Sequence, residues 1–444
     1  MENKNMNLEN KRNNARCMRR ISNIFGPTFF QKGGPPEAII VLLIILFLII
    51  ACGKGTAGKS EAISKQETHD WTIFRGDSCL TGSTGEQLPD SLQRVWTFKT
   101  GDEILSSPVI GLGLVFIGSC DGKVYALDFS TGAMVWGFDT KSIVEAPPLL
   151  LDMSLYAGSL DGNLYSLDAR TGALKWTYQA DGKITGSANW IQASNGDGEW
   201  IVVGSYDSKV HCVDSKTGKG IWTYDTKNYI NGTPSIYSES VIFGGCDALL
   251  HRISSIDGKR LSIIDLDSYV AASPSISGHY AYIGNYDGQL FCVDLEKQKI
   301  LWKYEDKENG GPFFSSPAVN GEQVVVGSRD GCLHCISRTS GQQIWTFCTQ
   351  GDVDSSPVIA GNKVVVGSID GRLYMVNLSD GKQAWSYEIG SPITGSPAVS
   401  NGMLIIGAED GRVYAFGHQS IASNTDAINR VPACTLPFFS KRRT

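Results

Sequence analysis

The stretch "GSCDGKVYALDFSTGAMVW", Gly118–Trp136, returns 40 residues later as "GSLDGNLYSLDARTGALKW", Gly158–Trp176. Each copy carries two turn signals. The first is an Asp-Gly pair, which favours the positive backbone angles of a two-residue hairpin turn. The second is an Asp followed four residues later by Gly, where the carboxylate can bind free backbone N–H groups. The stretch therefore predicts short antiparallel strands joined by tight turns.

The same phrase recurs along the chain at intervals of 40 to 46 residues. Its turn aspartates are Asp121, Asp161, Asp207, Asp247, Asp287, Asp330, Asp370 and Asp410, with Gly122 and Gly162 following the first two. Its tryptophans are Trp96, Trp136, Trp176, Trp222, Trp302, Trp345 and Trp385, with one gap at Leu261 or Ser262. The agreement of these two series indicates eight copies of one structural unit.

Each unit predicts four short strands, which in the first unit are Ser106–Ile110, Leu114–Ser119, Lys123–Asp128 and Met134–Thr140. Repeated four-stranded units of this length are typical of a β-propeller. We therefore predict an all-β, eight-bladed propeller over residues 71–418. The last unit supplies only three strands, and Arg94–Phe98 is predicted to add the fourth, which closes the ring and removes a sheet edge.

Residues 1–52 predict export. The uninterrupted apolar run Ala38–Ala51 is shorter than the roughly 20 residues of a membrane span and suits a signal peptide. The following Cys52 completes a sequence that resembles a bacterial lipobox, so Cys52 is the predicted site of lipid attachment. An uncleaved signal anchor is the alternative. Residues 53–70 predict a flexible tether and residues 419–444 a disordered tail.

Charge excludes one class of partner. The net charge is -6. Residues 1–51 hold seven Lys/Arg and three Asp/Glu, a charge of +4, so the remainder carries -10. A nucleic-acid-binding domain usually has the opposite sign, and we predict no nucleic-acid partner.

The repeat, with "DGKVYALDFSTGAMVW" and "DGRLYMVNLSDGKQAW" as its clearest copies, resembles that of the pyrroloquinoline-quinone (PQQ) repeat family. "WTIFRGD", Trp71–Asp77, is typical of the start of such propellers. The family's enzymes carry an adjacent Cys pair, and this chain has none. The resemblance therefore implies a propeller that is not an enzyme and binds no cofactor, with a PQQ-dependent dehydrogenase as a lesser alternative.

With the lipobox, the sequence resembles exported lipoprotein members of this family that serve outer-membrane β-barrel assembly. This resemblance implies a monomeric, periplasm-facing scaffold at the outer membrane. Its partners would be assembly proteins or extended client segments. A propeller that binds a small molecule or a glycan at the channel mouth is the other interpretation.

Two groups of residues suggest chemistry but favour a structural interpretation. Cys332 and Cys335 form a C-x-x-C motif, but residues three apart on a strand point to opposite faces. Cys335 shares one repeat position with Cys212 and Cys292, which other units fill with Ala or Ser, so core cysteines are predicted at this position, with a disulfide between neighbouring blades left open. His211, His251 and His334 occupy the position of Tyr125, Tyr165 and Tyr374 in other units, too far apart to share a metal ion.

Residues that the repeat does not require are the candidates for function. The connections between units lie on the face of the Asp-Gly turns, around the mouth of the central channel, and their side chains differ from unit to unit. Exposed aromatic residues beside acids would suit a binding surface. The predicted partner or ligand face comprises Glu103, Glu145, Lys183, Tyr229, Tyr269, Phe313, Phe314, Asp352 and Asp354.

Overall fold

The computed structural model describes residues 70–418, except residues 195, 308 and 309. The predicted signal segment, Cys52, most of the tether and the tail lie outside the described residues. Within the described range the chain forms strands arranged in eight sheets. No helix in this range is long and apolar enough to cross a membrane.

Each sheet contains four antiparallel strands, which are consecutive in the chain in seven of the eight sheets, and we describe them from the channel outward. The innermost strands are β3 Val109–Gly111, β7 Leu149–Leu151, β11 Asn189–Gln192, β15 Ser235–Tyr237, β19 Ser275–Ser277, β23 Ala318–Val319, β27 Val358–Ala360 and β31 Ala398–Ser400. The second strands are β4 Leu114–Gly118, β8 Ser154–Gly158, β12 Glu199–Gly204, β16 Ser240–Gly244, β20 Tyr280–Gly284, β24 Gln323–Gly327, β28 Lys363–Gly367 and β32 Met403–Ala408.

The third strands are β5 Lys123–Asp128, β9 Asn163–Asp168, β13 Lys209–Asp214, β17 Leu249–Ser254, β21 Gln289–Asp294, β25 Cys332–Ser337, β29 Arg372–Asn377 and β33 Arg412–Gly417. The outer strands are β6 Met134–Asp139, β10 Leu174–Gln179, β14 Gly220–Asp225, β18 Arg260–Asp265, β22 Lys299–Glu305, β26 Gln343–Cys348, β30 Gln383–Glu388 and β2 Gln93–Lys99. A short strand, β1 Ser83–Thr84, pairs in parallel with β27. Blades 1 to 8 begin with β3, β7, β11, β15, β19, β23, β27 and β31.

The eight-bladed propeller and its closure are confirmed. The N-terminal strand β2 pairs with β33 and places Trp96 opposite Ala415, so blade 8 contains strands from both ends of the fold. The first strand of the repeat is shorter at its start than predicted, since β3 begins at Val109 rather than Ser106. Pro108 has no N–H to pair, and the hydroxyl oxygen of Ser107 accepts the backbone N–H of Ser396 in blade 8.

Neighbouring blades are joined by the repeated tryptophan. Trp136 of blade 1 donates its indole N–H to the Ala169 carbonyl of blade 2 at 3.0 Å. Its ring lies against Gly172, which has φ +71° and where a Cβ would come within 2.7 Å of the ring. The tryptophan therefore requires a glycine in the adjacent blade, and the same pairing recurs from blade to blade. The other pairs are Trp96–Gly132, Trp176–Gly218, Trp222–Gly258, Trp302–Gly341 and Trp345–Gly381.

The junction between blades 4 and 5 departs from this rule on both sides. Ser262 stands at the tryptophan position, and Gln298, at φ +53°, stands at the glycine position. The indole's hydrogen bond is replaced by one from Arg252, whose Nη1 donates to the Leu295 carbonyl at 2.8 Å. The guanidinium of Arg252 also lies over the ring of Tyr237, 5.6 Å from its centroid. The gap in the tryptophan series is therefore compensated by a different donor.

Residues 70–86 cross the channel at the end opposite the Asp-Gly turns, and we call this segment the strap. Its backbone or side chains bond to the innermost strand, or the turn after it, in all eight blades. The partners are Ile110, Leu150, Asn189, Ile236, Ile276, Val319, Ile359 and Asn401. Arg75, 1% exposed, donates to the carbonyls of Pro357 and Pro317. The strap thus blocks one end of the channel.

Candidate functional site

The open end of the channel is a cup. The Asp-Gly turns and the connections between blades surround it, and we call this side of the propeller the mouth face. The cup has a volume of about 440 Å³, with Phe74 of the strap at its floor. Its charged lining side chains are Glu145 and Asp354, and no Lys or Arg lines it among the described residues.

A ring of hydroxyl groups surrounds the lower part of the cup. The backbone N–H of one blade donates to the hydroxyl oxygen of the next, at distances from 2.8 to 3.0 Å. The accepting residues are Thr233, Ser273, Ser316, Ser356, Ser396 and Ser107. The ring is interrupted at blade 2, where Pro147 has neither a hydroxyl group nor an N–H. These bonds fix the blades relative to one another at the cup.

The repeated turn aspartates are occupied by structural hydrogen bonds. Asp121 accepts from the N–H of Lys123 at 3.0 Å and from the hydroxyl of Tyr125 at 2.6 Å. Asp161, Asp370 and Asp410 accept equivalent tyrosine hydroxyls. These carboxylates stabilise turns, which agrees with their structural interpretation from sequence.

The three histidines replace those tyrosines. The Nε2 atoms of His211, His251 and His334 lie 3.0, 3.0 and 2.8 Å from the turn aspartates of their own blades. Each Nδ1 has a tyrosine hydroxyl from the preceding blade at 2.9 to 3.1 Å; these are Tyr178, Tyr224 and Tyr304. In other blades this position, four residues after the turn aspartate, holds a tyrosine, and the preceding blade then contributes a phenylalanine in place of the second tyrosine. The pairs are Tyr125–Phe98, Tyr165–Phe138 and Tyr374–Phe347. A histidine needs a partner for its second nitrogen, and the neighbouring tyrosine supplies it.

Asp306, Asp330 and His334 are close enough to bind one metal ion. However, His334 and Asp330 make the contacts that the equivalent pairs make in blades 3 and 4. These contacts belong to the repeat, so the cluster offers no separate sign of a ligand.

The predicted face residues divide into exposed and buried ones. Tyr229 and Tyr269 are 50% and 55% exposed, and Phe314 is half-buried on the cup wall. Phe313 was wrongly assigned to this face, since it is 2% exposed and packs in the core with its Cβ against Gly284. It takes the core position that Val144 occupies in blade 2.

The sequence interpretation missed the residue that precedes each turn aspartate. In blades 3 and 5 it is Tyr206 and Tyr286, and both line the cup. Tyr206 stacks on Tyr229 with ring centroids 4.9 Å apart, and Tyr286 contacts Phe314 at 4.6 Å. Together with Tyr269, these residues form an aromatic arc across blades 3 to 6. The sequence contains a signal for this position, because its residue differs from unit to unit while the aspartate after it is constant. The residues are Cys120, Leu160, Tyr206, Cys246, Tyr286, Arg329, Ile369 and Glu409.

Arg329, at the same position in blade 6, lies between the aromatic arc and a group of acidic residues that we call the acidic sector. Its members are Asp352, Asp354, Glu409 and Glu103. The Nε and Nη2 of Arg329 donate to Asp354 at 2.9 and 2.8 Å, and its guanidinium lies 3.6 Å from the centroid of the Phe314 ring. The Asp354 hydrogen bond, opposed in part by burial, raises the pKa of Arg329. Asp352 is 4.0 Å from the same guanidinium.

The acidic sector continues through blades 8 and 1, where Glu409 and the exposed Glu103 lie. Burial raises the pKa of Glu409, and the charges of Glu103 and Asp354 add to the effect. Burial also raises the pKa of Glu145, with Lys183 acting in the opposite direction. The mouth face therefore has an aromatic side and an acidic side.

The cysteines include one disulfide, Cys332–Cys348, between directly opposed residues of β25 and β26. It lies within one blade, whereas the disulfide left open from the sequence was one between neighbouring blades. Cys212, Cys292 and Cys335 are buried free thiols, and burial raises the pKa of each. Raised pKa values disfavour the reactive thiolate.

The family model described as "Outer membrane protein assembly factor BamB" matches residues 89–304, 263–347 and 329–422. The chain belongs to this family. BamB-family membership agrees with the PQQ-type repeat and with the propeller. No curated protein sequence matches the chain.

Solved structures share the BamB-family fold at low sequence identity. BamB from Moraxella catarrhalis is 19% identical with a TM-score of 0.61, covering 74% of this chain and all of that one. The quinohemoprotein alcohol dehydrogenase from Comamonas testosteroni is 14% identical with a TM-score of 0.66, covering 79% of this chain and 80% of that one. The designed protein Ika8 is 19% identical, with a TM-score of 0.64, and covers 73% of this chain and all of that one. At this identity the likeness concerns the fold alone, which BamB, a dehydrogenase and a designed protein share.

Proposed function

We propose that this protein is a non-enzymatic scaffold of the cell envelope, exported and lipid-anchored at Cys52. Its mouth face binds protein components of outer-membrane β-barrel assembly. The description of the family, an outer-membrane protein assembly factor, supports a role in this assembly process. One observation carries the assignment of the surface, namely that aromatic side chains collect on the mouth face at positions where the repeat does not require them.

The energetics of such a face suit protein binding. Tyr229 and Tyr269 each leave about half of a large ring in solvent. Tyrosine is enriched among the residues that carry most of an interface's binding energy, since it buries much area and loses little side-chain entropy. The acidic sector beside the arc adds charge, which mainly governs partner choice and association rate. A rigid ring of blades holds both features in place.

The charge of the cup does not fit the dehydrogenase alternative. PQQ is a tricarboxylate, and the charged side chains that line the cup are the carboxylates Glu145 and Asp354. The nearby cation, Arg329, is already bonded to Asp354. A quinone cofactor would therefore meet like charge in the cup, whose described lining includes no cationic side chain, so we derive no chemistry through it. Stoichiometric PQQ binding would reverse this assignment.

The small-molecule interpretation rests on the cup itself, since 440 Å³ is within the range of ligand pockets.

Recovery of partners from membranes tests the proposal. The full chain is expressed in its own envelope, cross-linked, solubilised and captured, and the bound proteins are identified. The mouth variant Tyr229→Ser/Tyr269→Ser is compared with the outer-strand variant Leu261→Ser/Ile263→Ser, whose residues are 48% and 43% exposed. We expect a β-barrel assembly component with the wild type, at least about tenfold less with the mouth variant, and no change with the control.

The control also tests a different binding mode. An outer strand has unpaired backbone groups to which an extended client segment could add. Loss of the partner only in the outer-strand variant would move the binding surface there. Absence of any assembly component from the wild-type capture would remove the proposed process.

A further inference from the structure

A cation already lies beside the cup, in contact with two of its lining residues. The guanidinium of Arg329 lies on the face of Phe314 and is held by two hydrogen bonds to Asp354. An aromatic face attracts a cation through its quadrupole, and a carboxylate fixes its orientation. Arg329 therefore indicates what kind of group the cup's side chains accept.

Another part of the cup wall has the same two components without a cation. Glu145 and Tyr206 both line the cup, and the charge of Glu145 contributes to the raised pKa of Tyr206. Within the described part of the chain, no hydrogen bond and no ion pair within 4.0 Å is formed by the Glu145 carboxylate. It is nevertheless half-buried, and a partly dehydrated carboxylate without a partner is unfavourable.

We propose that the cup binds a guanidinium or ammonium group, with Glu145 as its counter-ion and the aromatic side chains of the cup around it. Phe74 at the floor, Tyr206 and Tyr286 provide aromatic surface. Asp354 is neutralised by Arg329, so Glu145 supplies the charge. If the cation is an arginine or lysine side chain of a partner, the inference rests on the proposed function; a free organic cation would use the same contacts.

Lys183 competes for this carboxylate. It is exposed at the mouth, and its charge lowers the pKa of Glu145 against the larger effect of burial. The two side chains do not form an ion pair within 4.0 Å. Removing the lysine charge should therefore strengthen the binding of an added cation, an effect that a purely structural role of Glu145 would not produce.

Calorimetric titration of the full chain tests the site. The probes are N-acetyl-arginine amide and its uncharged analogue N-acetyl-citrulline amide, which has nearly the same shape. We expect one arginine amide per chain, with the citrulline amide at least roughly tenfold weaker, because a charge-assisted contact is lost. Equal binding of the two probes, or no arginine binding at tens of millimolar, would overturn the proposal.

Three variants assign the site. Glu145→Gln keeps the shape, and we expect it to weaken arginine amide binding by about tenfold. Lys183→Met should strengthen binding by roughly two- to threefold. Glu322→Gln removes the same charge at an exposed turn on the opposite side of the propeller and should bind as the wild type does. Unchanged binding in Glu145→Gln, with the native thermal transition, would contradict the assignment.

Partner capture separates the two sources of the cation. If a partner side chain enters the cup, Glu145→Gln reduces both arginine binding and capture. If the ligand is a free cation, Glu145→Gln reduces arginine binding alone and the scaffold proposal stands. If arginine binds as expected but the wild type captures no assembly protein, the proposed function fails and the cation site remains.

Discussion

The two ends of the channel are built differently. At the closed end, the strap bonds to every blade, with backbone-to-backbone hydrogen bonds in six of them, and six of the described junctions between blades use the same tryptophan and glycine. At the mouth, the equivalent connections present tyrosine, phenylalanine, lysine, aspartate or glutamate. Both ends rest on the same strands, so strand geometry does not cause the difference.

This comparison separates construction from recognition. A side chain that recurs in all blades satisfies a bond that every blade needs. A side chain that occurs once, and is exposed, has no such reason in the repeat. Blade 4 tests this distinction, because its departure from the repeat is matched by Gln298 in blade 5 and by the Arg252 hydrogen bond. That irregularity is structural, whereas the exposed ring of Tyr269 has no compensating change.

The largest expected effect is at the closed end. Gly82 has φ +61°, and an added Cβ would collide with the buried guanidinium of Arg75. Gly113 has φ +75° but open space around the same position. Both alanine variants carry the backbone strain of positive φ, about 1 kcal/mol. We expect Gly82→Ala to lose roughly 1–3 kcal/mol more from overpacking, measured by urea denaturation. Equal losses of unfolding free energy in the two variants would mean that the strap shifts to accommodate the added methyl group without loss of stability.

An intermediate effect is expected at the blade junctions. Gly172→Ala would place a methyl group against the Trp136 ring. Gln298→Ala changes a position that already carries a side chain, at the junction where Ser262 replaces the tryptophan. We expect a loss of about 2–3 kcal/mol for the first variant and less than about 0.5 kcal/mol for the second. Thermal unfolding of both proteins measures the difference. A comparable loss from Gln298→Ala would refute the link between tryptophan and glycine.

The smallest effect on stability is expected at the mouth. Burial raises the pKa of Glu145 in the folded state, so the folded protein binds a proton more readily there than the unfolded chain does. The ionised side chain therefore lowers stability as pH rises from the unfolded pKa, about 4.3, through the folded pKa. Lys183 offsets part of this cost.

Glu145→Gln should consequently raise the free energy of unfolding slightly at pH 7, by less than about 1 kcal/mol, and leave it unchanged below pH 4. Thermal unfolding across this pH range checks the sign. A variant less stable than the wild type at pH 7 would show that Glu145 has an internal partner, and the cation site would lose its basis.

The fold was predictable because its signals are local. Asp-Gly turns and tryptophans report the blades one by one, and Trp96 lies in the register that closes the ring. The strap was not predicted, because most of its bonds to the blades join backbone groups, which leave no pattern in the sequence. Cys348 was missed as a partner of Cys332, although the predicted hairpin places them on facing strands.

The site was predictable only in part. The connections between blades identified Tyr229 and Tyr269, since these positions vary among units. Phe313 was misassigned because two adjacent phenylalanines look equivalent until the repeat register aligns the first with Val144 and Ile184, the buried residues at the same position in blades 2 and 3. Tyr206 was overlooked because the turn around it was interpreted as uniform. The contacts between the Asp-Gly turns and the connections between blades, such as that of Tyr206 with Tyr229, form only when both kinds of loop pack around one channel.

Site-specific cross-linking in the intact envelope tests the central claim most directly. A photoreactive residue is placed at Tyr269 on the mouth face, at Leu261 on an outer strand, or at Glu322 on the opposite side, all exposed positions. We predict a cross-link to an outer-membrane β-barrel assembly protein from position 269 and none from positions 261 and 322. Cross-links to that protein from either control position, with none from position 269, would contradict the assignment of the mouth face.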